Sequence, residues 1–180
     1  VGNIKEKHLV KLLEKYFGNV AAATRTKTRT PFSNYKPANN LVSKNTWQDH
    51  CIIGNIAYDV KDRRRLSMFL LNNILGGQGL NSRLNLSLRE KNGYAYNIES
   101  NYIPYWDTGV FMIYFGTERK NREKSIRLVM KELKKLRENK LGSMQLTRAK
   151  NQIKGNIARA WESHENHMLA MGKNVLVFDR

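Results

Sequence analysis

Residues 75–100 read LGGQGLNSRLNLSLREKNGYAYNIES, and the fold of the whole chain turns on how this stretch is parsed. An apolar helical run ends at Gly76-Gly77, where continuing the helix costs backbone entropy. A short helix with a polar face follows, because Leu84 and Leu88 stand one turn apart among polar neighbours. Gly93 stops that helix, and an aromatic-rich strand starts at Tyr94. The unit is therefore helix, loop, short helix, strand. It sets Arg89 near the end of the short helix and Tyr96 just inside the strand.

Upstream, 47–59 (WQDHCIIGNIAYD) is rich in β-formers, and Gly54 marks a bulge or a close backbone approach. Asp62 precedes a helix with Leu66, Phe69, Leu70 and Ile74 on one face. Met68, Leu71 and Leu75 widen that face, so this helix is expected to be the most buried. Downstream, 94–103 and 109–117 form an antiparallel hairpin through Pro104, Trp106 and Asp107. A helix over 122–140 turns Ile126, Val129, Met130, Leu133 and Leu136 inward. Leu141-Gly142-Ser143 ends it and caps the next, which runs to about Lys173 with Leu146, Ala149, Ile153, Ile157 and Trp161 inward. Residues 174–178 then begin a further strand or helix. The order implies an α+β layer, an antiparallel sheet with helices on one face.

The first 18 residues form a helix, with Leu9, Leu12, Leu13 and Tyr16 in phase, Asn3 placed to cap it and Gly18 to stop it. Residues 19–46 lack periodicity and hold Pro31 and Pro37, as a linker does. Basic residues there, among them Arg25, Lys27, Arg29, Lys36 and Lys44, offer a basic arm as the other reading, but aromatic interleaving is thin. The chain opens on Val1-Gly2 without an initiator Met, in what reads as mid-element, so a piece of a longer protein is expected.

The formal net charge is +17, which by itself suggests an anionic partner. Its distribution argues otherwise. Between Arg119 and Arg159 stand 14 basic and 3 acidic residues, a net +11, filling the non-apolar positions of two helices as a solvated face does. An acidic partner domain would match that face; a basic nucleic-acid-binding module is the weaker alternative. No apolar run reaches the length of a membrane-spanning helix. Cys51 stands alone, rules out an internal disulfide, and reads as a small buried hydrophobe. Nothing in the composition settles the compartment.

Leu75-Gly76-Gly77, Ser82-Arg83-Leu84, Leu88-Arg89-Glu90, Gly93 and Tyr96 together resemble the second, non-zinc half of the pitrilysin/insulinase family of zinc metallopeptidases, to which the mitochondrial processing peptidases are similar. The resemblance covers roughly residues 47–172. A weaker match over 1–18 looks like the last strand and helix of the family's first half. It implies three parts: 1–18 as the tail of the preceding zinc-binding half, 19–46 as linker, and 47–180 as the C-terminal substrate-binding half of a processing-peptidase-like fold. It also implies zinc in the missing N-terminal half and none here, and an extended peptide as substrate. The fragment alone is then inactive. Its partner is the N-terminal half of the same protein or a homologous subunit. A full protein without the zinc motif would instead be a non-catalytic partner subunit.

By the same resemblance, Arg89 grips a substrate carbonyl and Tyr96 donates to the scissile or adjacent one. Tyr94, two residues earlier and on the same strand face by alternation, replaces a usual aliphatic residue and leaves open which tyrosine faces the substrate. The bland alternative pairs Arg89 with a carboxylate and makes Tyr96 strand filler. Of His8, His50, His164 and His167, none stands in the family's His-x-x-Glu-His motif. His164 and His167, three apart on a helix, are the nearest look-alike and read as polar residues at a helix end. Gly76-Gly77-Gln78-Gly79 follows a helix and lacks Gly-Lys-Ser/Thr, so it is no phosphate loop. Its glycines cap a helix and let backbone lie close to substrate or linker. Asn81 or Ser82 caps the next helix, and Ser82 has no catalytic partner that sequence nominates.

Overall fold

A computed structural model describes residues 2–21, 23, 26–28, 30–77 and 79–178. Val1, Arg25, Arg29 and Gln78, invoked above, lie outside the described residues. The elements are α1 (Glu6–Phe17), β1 (Asp49–Ala57), α2 (Arg65–Gly76), a π-helical turn (Asn85–Glu90), β2 (Ala95–Pro104), β3 (Gly109–Thr117), a 3-10 turn (Arg119–Asn121), α3 (Arg122–Glu138), α4 (Ser143–Glu162) and α5 (His164–Phe178). The three strands make one antiparallel sheet in the order β1-β3-β2. Helices cover one face of it, as the α+β expectation requires.

Alternation in β3 decides which face is core. Ile113 and Phe115 are fully buried and Phe111 nearly so, while the residues between them turn the other way. Ile98 and Tyr102 of β2 join them, and Leu75 of α2, Leu84 and Leu88 of the π-helical segment and Val129 of α3 close the cluster. Each such side chain contributes roughly 1.5–3 kcal/mol by leaving water.

Helix α2 docks by one flank of the face its apolar residues mark, with Leu75 buried and Met68 packed on the core. Leu66 and Phe69 are exposed, and burial concentrates at Leu75 and Gly76. The cause is a close approach: a Cβ added to Gly76 would lie 2.7 Å from Ser100 N. Ser100 Oγ donates to the carbonyl of Asn72 at 3.0 Å, so the face holding Asn72 and Gly76 meets β2. Phe69 instead lies edge-on against Tyr102, 4.9 Å between ring centres. Even so α2 is the most buried α-helix, as expected, with only Leu66, Ser67 and Phe69 exposed among its residues. In α3, Val129 is buried as expected, but Met130 is exposed and Ser125 and Glu132 take inward positions. Both polar groups are satisfied, Ser125 Oγ by the Asn121 carbonyl at 2.9 Å and Glu132 by Lys135 at 2.6 Å. Gly54 pairs with Met112 in unbroken register; the bulge lies in β2, between Ala95 and Ile98.

The chain divides into two compact units, residues 31–153 and residues 1–30 with 154–180. The first holds the sheet and its core. In the second, α1 starts at Glu6 with Lys5, not Asn3, in the cap position. The long last helix breaks at Ser163, whose carbonyl accepts from His167 N at 3.0 Å and whose hydroxyl accepts from Asn166 N at 3.3 Å. A serine that caps in this way competes with continuing the helix. Ile157 and Trp161, expected inward, are exposed, and the chain stays helical to Phe178.

Two glycine substitutions separate these causes by urea unfolding. Gly76→Ala forces a methyl against Ser100 and is expected to destabilise by about 1–3 kcal/mol. Gly155→Ala, in open space inside α4, is expected to stabilise by up to about 1 kcal/mol. Equal effects would refute the close approach.

Candidate functional site

Arg89 and Tyr96 sit at the two ends of one tightly tied segment. Leu84 and Leu88, both fully buried, anchor the helical turn from below. Lys91 N donates to the Leu86 carbonyl at 3.1 Å, the five-residue span of a π-turn, which carries Arg89 to its outer side. Asn85 Nδ2 donates to Ser82 Oγ at 2.8 Å and Asn92 Nδ2 to the Ser87 carbonyl at 2.6 Å. Gly93, at φ +61°, then reverses the chain in the region that favours glycine. Its N–H donates to the Arg89 carbonyl at 2.9 Å, and Tyr94 N donates to the Leu88 carbonyl at 2.8 Å. Thr117 Oγ1, at the end of β3, donates to the Tyr94 carbonyl at 2.6 Å and fastens the reversal to the sheet.

The bulge comes next. Ala95 pairs with Thr117 and Ile98 with Phe115, so Tyr96 and Asn97 together oppose the single residue Gly116. Both point out of the core while Ala95 and Ile98 point in. Tyr96 is 72% exposed, and its hydroxyl makes no hydrogen bond among the described residues. Tyr94, just before the strand, is half-buried, with Lys124 Nζ 5.8 Å from its ring centre. Of the two tyrosines, Tyr96 is the one open to solvent. Arg89 is exposed, and its one ion pair, Nε to Glu90 at 3.6 Å, is a surface contact of small worth. A guanidinium and a phenol are thus presented uncommitted, with donors to spare for carbonyl oxygens.

The remaining candidates resolve into structure. Among the described residues no group of three or more His, Cys, Asp or Glu is close enough to hold a metal ion. His167 stacks on Trp161, ring centres 5.5 Å apart. These residues do not fit a zinc site. In the glycine loop, Gly76 and Gly77 make room for this chain's own Ser100 and Asn73, not for a phosphate. Ser82 is buried and bound to Asn85. Along α3, Lys124, Arg127 and Lys131 are exposed, the face of a solvated helix. At the start of α2 the Arg64 guanidinium and backbone N–H hold the Asp62 carboxyl below its ordinary range.

Known proteins resemble this chain in sequence and fold. Residues 1–153 match the family described as peptidase M16 inactive domain. The uncharacterized zinc protease YmxG of Bacillus subtilis is 30% identical over 99% of this chain and 43% of its own length. A zinc protease of Rickettsia bellii is also 30% identical, over 99% of this chain and 43% of its own. The chain therefore spans less than half the length of these relatives. Among solved structures, a peptidase M16 inactive domain from Pseudomonas fluorescens is 29% identical with a TM-score of 0.58, over 62% of this chain and 27% of that one. A protease from Helicobacter pylori shares the fold with a TM-score of 0.80 at 19% identity, over 99% of this chain and 44% of that one.

Cys51 lies near the same end of the sheet. Burial pushes its thiol above the ordinary range and Asp49 pushes the same way, against an opposing pull from Arg122. A raised pKa keeps the sulfur protonated near neutral pH. Alkylation of the native protein is expected to be several-fold slower than in denaturant at pH 7.5, and to rise only as pH passes that of the unfolded thiol. Equal rates at neutral pH would show that the sulfur is not shielded.

Proposed function

The chain belongs to the peptidase M16 family, as its inactive domain, and from that premise we propose that it is the substrate-binding half of a zinc metalloendopeptidase, with Arg89 and Tyr96 as its donors to the peptide. The observation that carries this is Tyr96, turned out of the sheet by a bulge, exposed and without a partner, one short reversal away from an exposed Arg89.

Residues 1–18 then belong to the preceding half, 19–46 form the linker and 47–180 the C-terminal half. Relatives named zinc proteases run to more than twice this length, which leaves room for a second half. Zinc bound there would polarise the scissile carbonyl and activate water. The residues of this chain do the rest by position. The Arg89 guanidinium takes a backbone carbonyl of an extended peptide in a fixed fork and sets its register. The Tyr96 hydroxyl donates to the scissile or adjacent carbonyl oxygen, where negative charge grows in the transition state. By itself this half, whose sequence lacks the His-x-x-Glu-His motif, binds and orients and leaves cleavage to the metal-bearing half. Its partner is the N-terminal half or a homologous subunit.

Arg89→Ala and Tyr96→Phe in the full-length protein test the assignment with a quenched fluorescent peptide. Each is expected to lower kcat/KM by about ten- to a thousandfold, with bound zinc by atomic absorption unchanged. Wild-type turnover in both variants would remove the role.

A further inference from the structure

The sheet face opposite the helices carries a tethered group in line with Tyr96. Gly116 lies on that face in the central strand, with His50 of β1 directly opposite it on one side and the Tyr96–Asn97 bulge on the other. A row therefore crosses three strands: imidazole, bare backbone, phenol. Two strand spacings separate its ends, about 10 Å. Gly116 itself is buried, and a Cβ there would stand 3.0 Å from Gln48 Oε1 and 4.0 Å from His50 Nδ1, so the flexible Gln48 side chain lies over the middle of the row and a peptide crossing there moves it aside.

His50 is exposed yet held at two points. Its Nδ1 is 2.8 Å from Tyr114 Oη, and the two rings lie nearly parallel, 18° apart with centres at 6.0 Å. Fixing a solvent-exposed side chain costs rotamer entropy, and the same fixing lowers the cost of binding through it. The other ring nitrogen, Nε2, has no partner among the described residues. When Tyr114 donates to Nδ1, the neutral ring carries its proton on Nε2, and that proton is available to an acceptor. Directly opposite Tyr114 stands Ile52, 69% exposed, an apolar rest beside the donor.

We propose that His50, held by Tyr114, is a third substrate-contacting residue: its Nε2–H takes a main-chain carbonyl of an extended peptide that crosses the sheet at Gly116 toward Tyr96, with an apolar side chain of that peptide resting on Ile52. This rests on the substrate-binding role assigned above and extends its site across the sheet. About 10 Å is three residues of extended peptide at about 3.3 Å each. His50 and Tyr96 therefore address different carbonyls of one segment. The contact is to ground-state backbone remote from the bond cleaved, so its loss weakens binding more than turnover.

The test uses the full-length protein and a fluorescein-labelled extended peptide with leucine side chains, read by anisotropy and, in hydrolysis, by kcat and KM. His50→Ala is expected to weaken binding about three- to tenfold, the worth of one hydrogen bond, and to raise KM by a similar factor with kcat within about twofold. His50→Gln, which keeps a donor, is expected to recover part of the loss. Tyr114→Phe, which releases the imidazole, is expected to shift binding the same way by less. Thermal melts of all three near wild type confirm that the fold is intact. Wild-type affinity in both His50→Ala and Tyr114→Phe overturns the proposal. Arg89→Ala and Tyr96→Phe run on the same peptide keep the two assignments apart. If they impair turnover while His50→Ala leaves binding intact, only this inference falls. If His50→Ala weakens binding while they change nothing, the Arg89–Tyr96 assignment falls alone.

Discussion

Strand β3 is the constraint from which the sheet and its site follow. It is hydrogen-bonded along both edges, and its odd-numbered residues from Phe111 to Phe115 are buried. A slip of one residue would put those rings in water, so burial of this one face pins the register of the whole sheet. With the register fixed, Tyr114 and Gly116 must face away from the helices, whatever else the chain does. His50 is then forced opposite Gly116 by β1, and the bulge pair opposite it by β2. The open face is thus a by-product of core packing, and a site built on it inherits the rigidity of the core.

Much of this was legible in the sequence, because it rests on periodicity. Alternation marked the hairpin, and Leu84 with Leu88 marked a helical turn beside it. The misreadings share one physical cause: the hydrophobic count of a helix does not say which stripe can approach the sheet most closely. In α2 a bare Gly76 and the Ser100–Asn72 bond won that contest, leaving Leu66 and Phe69 outside. In α3 a hydroxyl that bonds its own helix backbone and a carboxylate paired with Lys135 occupy inward positions, while Met130 turns out. The break at Ser163 was similarly hidden, since nothing in a run of helix formers shows that a serine will cap instead of continue.

For the site itself, motif and geometry carry different information. The family resemblance singled out Arg89 and Tyr96 but said nothing of the π-turn, whose extra residue leaves no periodic trace in a six-residue element. Nor did it locate the bulge, which sits at a Tyr-Asn pair, while Gly54 keeps regular pairing. His50 escaped notice for a related reason. Its significance is its partner 64 residues away in sequence and the bare Gly116 beside it, neither visible until strands are paired. An alternating strand that carries a histidine on its solvent face would have been the only hint.

Three departures from regular backbone fall between Asn85 and Asn97: a π-turn, a glycine at positive φ and a bulge. While Asn34 at φ 63° and Gly2 at φ 152° depart elsewhere, each of these three is disfavoured locally. Their compensations are equally concentrated. Leu84 and Leu88 bury completely, Asn92 and Thr117 bond backbone carbonyls, and Asn85 binds Ser82. What the irregular segment achieves is direction. The π-turn carries Arg89 outward, and the bulge puts Tyr96 on the open face without disturbing Ala95 or Ile98. Irregular backbone held by dense local bonding thus sets down two exposed side chains, Arg89 paired with Glu90 across 3.6 Å and Tyr96 without a hydrogen bond among the described residues, and that firm footing is what the proposed substrate-binding role requires.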